Sequence, residues 1–232
     1  PPVWIVARGS GKIKEVYGKD REQVEAGKII AVLENPAETK DVLLLGEVLQ
    51  DFCLTDSCIN SIEFPERLAL GSIQAVYATF IKSLTDYRNF LSLDLYEQKI
   101  EATRKELQEY RNYIKHLKRQ AELDKEQVRI AETVHSREKK LFGEGLTAQS
   151  DYEEAKQVFL NRQQGQEQMM TSLSSAKIQE AQLQQNILET RMERSREANS
   201  LGIALKAAYN ELQVSIEDWK MTYLFISPAN GI

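Results

Sequence analysis

The sequence contains few of the residues that interrupt helices, and most of them lie near its two ends. Only 5 of the 232 residues are proline, and none lies between Pro65 and Pro228. From Ser72 to Phe142 there is neither proline nor glycine, and each would cost a helix interior about 1 to 3 kcal/mol. Because this stretch is rich in Leu, Glu, Lys, Arg, Gln and Ala, it predicts one very long helix.

The sequence also lacks long apolar runs, an excess of positive charge and many cysteines, and each absence excludes a class of protein. No apolar run approaches the roughly 20 residues that cross a bilayer. An isoelectric point of about 5.3 argues against a nucleic-acid partner. The 2 cysteines are too few for a disulfide scaffold or a four-ligand zinc site. The chain begins with Pro1 and Pro2, without Met or a signal segment, so we expect a piece of a longer protein.

Patterns that support catalysis are missing as well. The sequence has no glycine-rich phosphate loop, no nucleophile elbow and no paired Cys and His. His116 and His135 lie far apart on the predicted helix, with no second ligand type at metal spacing, so we expect both to be exposed. These absences predict a protein that is not an enzyme and that carries no cofactor or metal.

Within the long predicted helix, apolar residues recur at steps of three and four. This spacing is a seven-residue repeat, which keeps one apolar seam facing a partner helix. Polar Thr103 and Asp124 fall on the seam and weaken it locally. The repeat predicts a coiled coil, with one core position formed by Leu93, Ile100, Leu107, Ile114, Ala121 and Val128.

A pair of glycines follows the repeat and indicates where the chain turns. Gly143 comes directly after the periodic stretch, where a helix end with a left-handed residue is expected. Thr147 or Ser150 then offers an N-cap for a second helix, from about Ala148 to about Asp218. We interpret two glycines inside that helix as tolerated defects: Gly165 and Gly202.

The two predicted helices match as the arms of one hairpin. Folding about Gly145 puts Leu107 opposite Leu183 and Ile114 opposite Ala176. Large residues then repeatedly face small ones, which favours a hairpin within one chain over two separate helices that dimerise. The same fold pairs Leu117 with Leu173, Ala121 with Met169 and Ala131 with Phe159.

The two ends of the sequence each have the character of an incomplete β module. Residues 1–34 contain several short β-prone runs separated by turn signals, too few to bury a core alone. Residues 219–232 begin with another β-prone run, which stops at Pro228. Because an antiparallel hairpin brings its ends together, we expect one small β domain with Trp4 and Trp219 in its core.

The predicted fold class is therefore mostly α, a long antiparallel α-helical coiled-coil hairpin inserted into a small β domain that is split between the two chain ends. Each segment has a predicted place in this arrangement. They are 1–34 (first β half), 35–65 (short helix and loop), 66–142 (ascending arm), 143–147 (hairpin tip), 148–218 (descending arm) and 219–232 (second β half).

Short motifs at both ends resemble the two halves of a lipoyl (biotinyl-like) domain. Residues 7–13 (ARGSGKI) and 24–32 (VEAGKIIAV) resemble its first half, and residues 226–232 (ISPANGI) resemble the opening of its second half. A lipoyl domain interrupted by a long helical hairpin is similar to the periplasmic adaptor, or membrane fusion protein, of the HlyD family. The resemblance covers nearly the whole chain.

The resemblance implies a non-catalytic adaptor that links an inner-membrane transporter to a TolC-like outer-membrane duct. It implies a periplasmic location, a membrane anchor outside these 232 residues and several copies of the chain in the assembled complex. It favours an ABC transporter that exports peptides or proteins over a proton-driven pump.

The family's tip pattern is an Arg, a Leu and a Ser, and this sequence matches it in part. Arg137 and Leu141 match, whereas Ala148 stands at the Ser position, with Thr147 and Ser150 as alternative sources of the hydroxyl. The resemblance therefore implies a partner-binding tip formed by Arg137, Leu141, Phe142, Gly143, Gly145, Leu146, Thr147, Ala148 and Ser150.

An additional segment follows the first β half. Its opening run, residues 35–38 (NPAE), is a helix-start signature, so we expect a helix from about Pro36 to Gln50 and then a loop. The segment resembles that of HlyD-type adaptors that serve peptide-exporting ABC transporters. In an oxidising periplasm Cys53 and Cys58 can form a local disulfide, and two buried thiols are equally compatible with the sequence.

Two other functions are compatible with parts of the sequence. A general coiled-coil tether or cytoskeletal linker would pair the arms between chains and use the β ends to dimerise. An enzymatic carrier domain would need a modified lysine on the turn between two lipoyl halves, and the hairpin occupies that turn here. Lys28 lies in the first half, and we interpret it as a surface strand charge.

Overall fold

The computed structural model describes residues 5–6, 8–19 and 21–231, and most of them are helical. The strands are β1 (Ile13–Val16), β2 (Ile29–Leu33) and β3 (Leu224–Ile226). The helices are α1 (Thr39–Asp51), α2 (Asp56–Ser61), α3 (Gln74–Leu93), α4 (Leu95–Gly143) and α5 (Gln149–Tyr223). The chain divides into two compact units, Pro1–Leu93 with Arg196–Ile232, and Asp94–Ser195. None of the helices among the described residues combines the length and apolarity needed to cross a membrane.

The strands form one antiparallel sheet to which both ends of the chain contribute. β2 lies in the middle, with β1 on one side and β3 on the other. Ala31 of β2 pairs with Val16 and with Phe225, and an isolated bridge joins Val24 to Gly231. The prediction of a small β domain split between the chain ends is confirmed.

The first unit has one hydrophobic core, which α1, α3, α5 and β2 share. Leu45, Phe80 and Leu212 are fully buried in it. Trp219 is 3% exposed and belongs to this core, as the sequence predicts. The other predicted core tryptophan, Trp4, lies outside the described residues.

α5 continues through residues that the sequence predicts as a strand. The β-prone run begins at Trp219, but the helix ends at Tyr223 and the strand contains only Leu224–Ile226. Leu212, Ile216 and Trp219 follow one face of α5 at steps of four and three, and all are buried. Burial of that face outweighs the local β preference, because β propensity depends strongly on packing context.

α1 begins at Thr39 and not at Pro36. The Asn35 side-chain oxygen accepts a hydrogen bond from the Ala37 backbone N–H at 2.9 Å. Asn35 therefore closes a turn that precedes the helix, and it does not cap α1 itself.

The ascending arm becomes helical later than predicted. Residues 66–70 are not helical, and a 3-10 turn, Gly71–Ile73, precedes α3. Gly71 has a φ of +55°, and a Cβ atom there would lie 3.0 Å from the Ala37 backbone nitrogen. Two chain segments approach each other closely at this point, so glycine is required.

The ascending arm is also two helices where the sequence predicts one. α3 ends at Leu93 and α4 begins at Leu95, while Asp94 between them has a left-handed φ of +42°. Aspartate tolerates this conformation better than most residues because its short polar side chain bonds locally, and Arg194 lies 3.6 Å from the Asp94 carboxylate. Leu93, predicted on the seam, is 56% exposed, and the buried seam of α4 begins at Ile100.

In the second unit, α4 and α5 pack along the predicted seam. Arg111 Nε lies 2.8 Å from Glu180 Oε1, which ties one arm to the other. The arms pair within one chain, as predicted. One buried cluster contains Ile100, Leu107, Leu183 and Ile187, and the next contains Ile114, Leu117, Leu173 and Ala176.

Cys53 and Cys58 form a disulfide, so of the two states compatible with the sequence the structure has the bonded one. The bond closes the loop between α1 and α2. The chain after it is fastened to α3 by Arg88, whose guanidinium donates to the Ile59 carbonyl at 2.6 Å and also to the Ile62 carbonyl. Together these contacts hold the additional segment against the core.

Removing the disulfide should lower the free energy of unfolding. Closing so short a loop is worth about 2 kcal/mol, so we expect Cys53→Ser/Cys58→Ser to unfold at a lower urea concentration. Wild-type protein treated with a reductant is the matched comparison and should unfold with the double variant. A variant that unfolds with the oxidised wild type would contradict this prediction.

The stability of the first unit should fall at high pH because of Tyr77. Its hydroxyl donates to the Pro65 carbonyl at 2.6 Å, and burial raises the pKa of Tyr77 from 10.0 to about 12. The folded state holds the phenol proton more tightly than the unfolded state. This contribution to stability is therefore complete below about pH 10 and is lost as the pH rises through 12.

In urea unfolding followed from about pH 9 to pH 12, we expect Tyr77→Phe to lose less stability with rising pH than the wild type. Tyr113→Phe removes a tyrosine that is 49% exposed, and it should keep the wild-type pH dependence. Equal pH dependence in the wild type and Tyr77→Phe would contradict the prediction.

Candidate functional site

The predicted tip residues lie at the turn between α4 and α5. The Leu146 N–H donates to the Leu141 carbonyl at 2.9 Å, and the Gly145 N–H donates to the Phe142 carbonyl at 3.0 Å. These bonds end α4 with a Schellman-type cap. The left-handed residue of the cap is Gly145, with a φ of +69°, and not Gly143 as the sequence predicts, because α4 runs on through Gly143.

Ala148 occupies the N-cap position of α5, where the sequence predicts Thr147 or Ser150. Its carbonyl accepts the first backbone hydrogen bond of the helix, at 3.4 Å. The Thr147 hydroxyl lies 3.4 Å from Glu138 Oε2 and 3.3 Å from Asp151 Oδ2. Thr147 is therefore used to tie the start of α5 to the end of α4.

Exposed apolar side chains and one cation give the tip its chemical character. Leu146 is 70% exposed and Phe142 is 41% exposed, while Leu141 is half-buried. The Arg137 side chain is 66% exposed, and its Nε lies 3.4 Å from Glu138 Oε1. Such a surface can pack into an apolar groove between helices while the guanidinium donates to oxygen acceptors of the partner.

A row of stacked rings fills the seam next to the turn. The ring centroids of Phe142 and Tyr152 are 5.4 Å apart, and those of Tyr152 and His135 are 5.7 Å apart. The next pair, His135 and Phe159, is parallel to within 2° at 5.5 Å. His135 Nε2 is buried and has no hydrogen-bond partner within the part of the chain that is described.

The prediction that both histidines are exposed is therefore right for His116 and wrong for His135. The seven-residue repeat of the sequence already distinguished the two histidines. Continuing the first core position beyond Val128 in steps of seven gives His135 and then Phe142, so both are expected between the arms. The repeat has a second core position, which includes Leu117, Asp124 and Ala131. Seven residues beyond Ala131 it reaches Glu138, whose side chain is only 18% exposed.

No family model matches the sequence, and no curated protein matches it. Among solved structures, the chain is similar to the soluble domain of LipC, a membrane fusion protein of a type I secretion system. That match has a TM-score of 0.63 and 16% identity, and it covers 97% of this chain and 88% of the LipC chain. The likeness shows that the chain has the fold of a membrane fusion protein, as predicted.

A second solved structure, the periplasmic adaptor protein EmrA, matches 99% of this chain at 20% identity and a TM-score of 0.34. The present chain spans 64% of the EmrA chain.

Replacing His135 should show how much the ring row stabilises the hairpin. His135→Ala removes two ring contacts, each worth about 0.5 to 1.5 kcal/mol, so we expect a lower unfolding midpoint by circular dichroism. His135→Phe keeps the stack and removes the unpartnered buried nitrogen, so its stability should equal or exceed that of the wild type.

His116→Ala is the matched control, because His116 is exposed on the same helix. It should change the free energy of unfolding by less than about 0.5 kcal/mol. Equal effects of the two alanine variants would contradict the role given to the stack.

Proposed function

We propose that this protein is a non-catalytic periplasmic adaptor of the HlyD family that bridges an inner-membrane transporter and a TolC-like outer-membrane duct. The observation that carries the proposal is the closed end of the hairpin, which exposes Phe142, Leu146 and Arg137 on a membrane-fusion-protein fold. In this proposal the sheet formed by both chain ends is the lipoyl-like half-domain of such an adaptor.

The tip engages the duct by helix-to-helix packing. Phe142 and Leu146 supply apolar area for a groove between two helices of the duct, and Arg137 fixes the orientation through directed hydrogen bonds. Ala148 has no hydroxyl, and Thr147 is half-buried with its hydroxyl between the two arms. The Ser150 hydroxyl contacts only Asp151 of its own turn, at 3.3 Å. We therefore assign the hydroxyl contact to Ser150, which is exposed at the first turn of α5.

The transporter partner in this proposal is of the ABC type and exports peptides or proteins. Two features support this choice: the additional segment with α1 and α2, and the likeness to LipC, which belongs to a type I secretion system. The disulfide between Cys53 and Cys58 suits an oxidising compartment such as the periplasm. Several copies assemble around the export path, and a segment outside the present 232 residues anchors them to the inner membrane.

Reversing the charge of Arg137 tests the docking role. With Arg137→Glu we expect export of the substrate, and cross-linking of the tip to the duct, to fall on the order of tenfold, which corresponds to about 1.4 kcal/mol of binding. Both quantities are measured in cells that produce the full-length protein.

Arg119→Glu is the matched control, because Arg119 is also exposed on α4 but lies away from the tip. It should leave export and cross-linking unchanged. If Arg137→Glu exports and cross-links as well as this control, Arg137 has no part in docking.

A further inference from the structure

Glu138 places a charged group at a core position of the seven-residue repeat. Ala131, one repeat earlier, is 8% exposed, and the Glu138 side chain is 18% exposed. An apolar residue is the usual occupant of such a position. Taking a carboxylate out of water costs free energy unless ionic and hydrogen-bonded partners compensate for the lost hydration. The partners of Glu138 therefore indicate what a charge at this position does.

Within the part of the chain that the structure describes, the Glu138 carboxylate has one cationic partner, Arg137. Glu138 Oε1 lies 3.4 Å from Arg137 Nε. Consecutive residues of a helix do not normally face each other, so this contact draws the Arg137 guanidinium toward the seam. The arginine that the proposed function places at the docking surface is thus paired with a group inside the hairpin.

The ion pair uses only one side of the guanidinium. A guanidinium has five N–H donors, and the contact at Nε occupies one of them. The Arg137 side chain remains 66% exposed, so the N–H groups of its two terminal nitrogens are left for acceptors of another molecule. A long side chain that is already oriented also loses less conformational freedom when it binds.

The other oxygen of Glu138 connects this pair to the turn before α5. Glu138 Oε2 lies 3.4 Å from the Thr147 hydroxyl, which also lies 3.3 Å from Asp151 Oδ2. A hydroxyl has a single proton and donates to one carboxylate at a time. Thr147 therefore compensates the charge of Glu138 only in part, and the Arg137 cation supplies the main compensation. Through these contacts the guanidinium is oriented relative to both arms.

Stability alone does not account for a glutamate at this position. An apolar side chain of similar length would fill the seam without a desolvation cost, and replacing a buried ion pair by apolar residues is often neutral or stabilising. Polar groups in coiled-coil cores are known to specify one arrangement at some cost in stability. The contacts of Glu138 identify the arrangement that is specified here, which is the direction of the Arg137 side chain.

We propose that Glu138 is a positioning residue, which orients the Arg137 guanidinium before the tip meets the duct. The inference rests on the proposed function, and it gives Glu138 no contact of its own with the duct. Glu138 acts by restricting the rotamers of Arg137, so that the terminal nitrogens already point away from the hairpin when the two helical surfaces meet.

Glu138→Met separates orientation from stability. Because the seam becomes apolar, the urea midpoint of unfolding should equal or exceed that of the wild type. Export, and cross-linking of the tip to the duct, should fall about threefold in cells that produce the full-length protein. A residue with only a structural role would change stability and docking in the same direction. A fall in both, or unchanged docking, would therefore contradict the inference.

Glu138→Gln removes the charge and keeps the length of the side chain. Its amide oxygen can still accept from the Thr147 hydroxyl, whereas its attraction for Arg137 is lost. Docking should fall as it does in Glu138→Met. Glu126→Gln is the matched control, because Glu126 also pairs with an arginine of α4, Arg129, but is 51% exposed. Wild-type docking by Glu138→Gln, or an equal fall in the control, would overturn the inference.

A double-variant cycle tests whether Glu138 acts through Arg137. In the Arg137→Ala background, adding Glu138→Gln should lower docking no further, because the side chain that Glu138 orients is gone. A second fall of similar size would mean that Glu138 acts independently, which contradicts the inference.

The same cycle distinguishes failure of this inference from failure of the proposed docking. If Arg137→Ala docks poorly while Glu138→Gln docks as the wild type does, only the positioning role of Glu138 is removed. If Arg137→Ala docks as well as the wild type, the docking role of Arg137 is wrong and the positioning role falls with it.

Discussion

The apolar seam between α4 and α5 holds the two arms of the hairpin together. Helices of this length are not held together by intrinsic propensity, because most helical stability in proteins comes from packing of an apolar face. Each Leu or Ile buried in the two seam clusters contributes about 1.5 to 3 kcal/mol. Because the partner helix belongs to the same chain, α5 returns the polypeptide to the first unit, where β3 can pair with β2.

The seam changes chemistry along its length, and the change stiffens the end of the hairpin to which we assign the docking role. The clusters around Leu107 and Ile114 are aliphatic, whereas the last stretch contains stacked rings and the polar link from Glu138 to Thr147. Rings and hydrogen bonds have preferred geometry, so they fix the two arms relative to each other where aliphatic packing alone would allow more freedom. Phe142 and Leu146 can then remain exposed without loosening the turn.

The first unit shows how a small sheet is stabilised by helices. The three strands bury little on their own, and every residue of β1 is exposed. The core is instead built from α1, α3 and α5 around Phe80 and Leu212, with Val32 as the contribution of β2. The disulfide and Arg88 hold the additional segment in place over that core. The sheet that joins the chain ends is thus supported mainly by helices.

The hairpin, its seam and the joining of the chain ends could all be predicted from the order of the residues. The seven-residue repeat and the positions of Gly and Pro are local signals that translate directly into helix faces and turns. The same repeat, continued to its end, would also have placed His135 between the arms. Contacts between distant segments decided the rest. The break at Asp94, the extension of α5 through Trp219 and the capping by Ala148 depend on which groups are buried or bonded across the fold. Local propensity does not contain that information, so these three features follow from the packing of distant segments and could not be predicted beforehand.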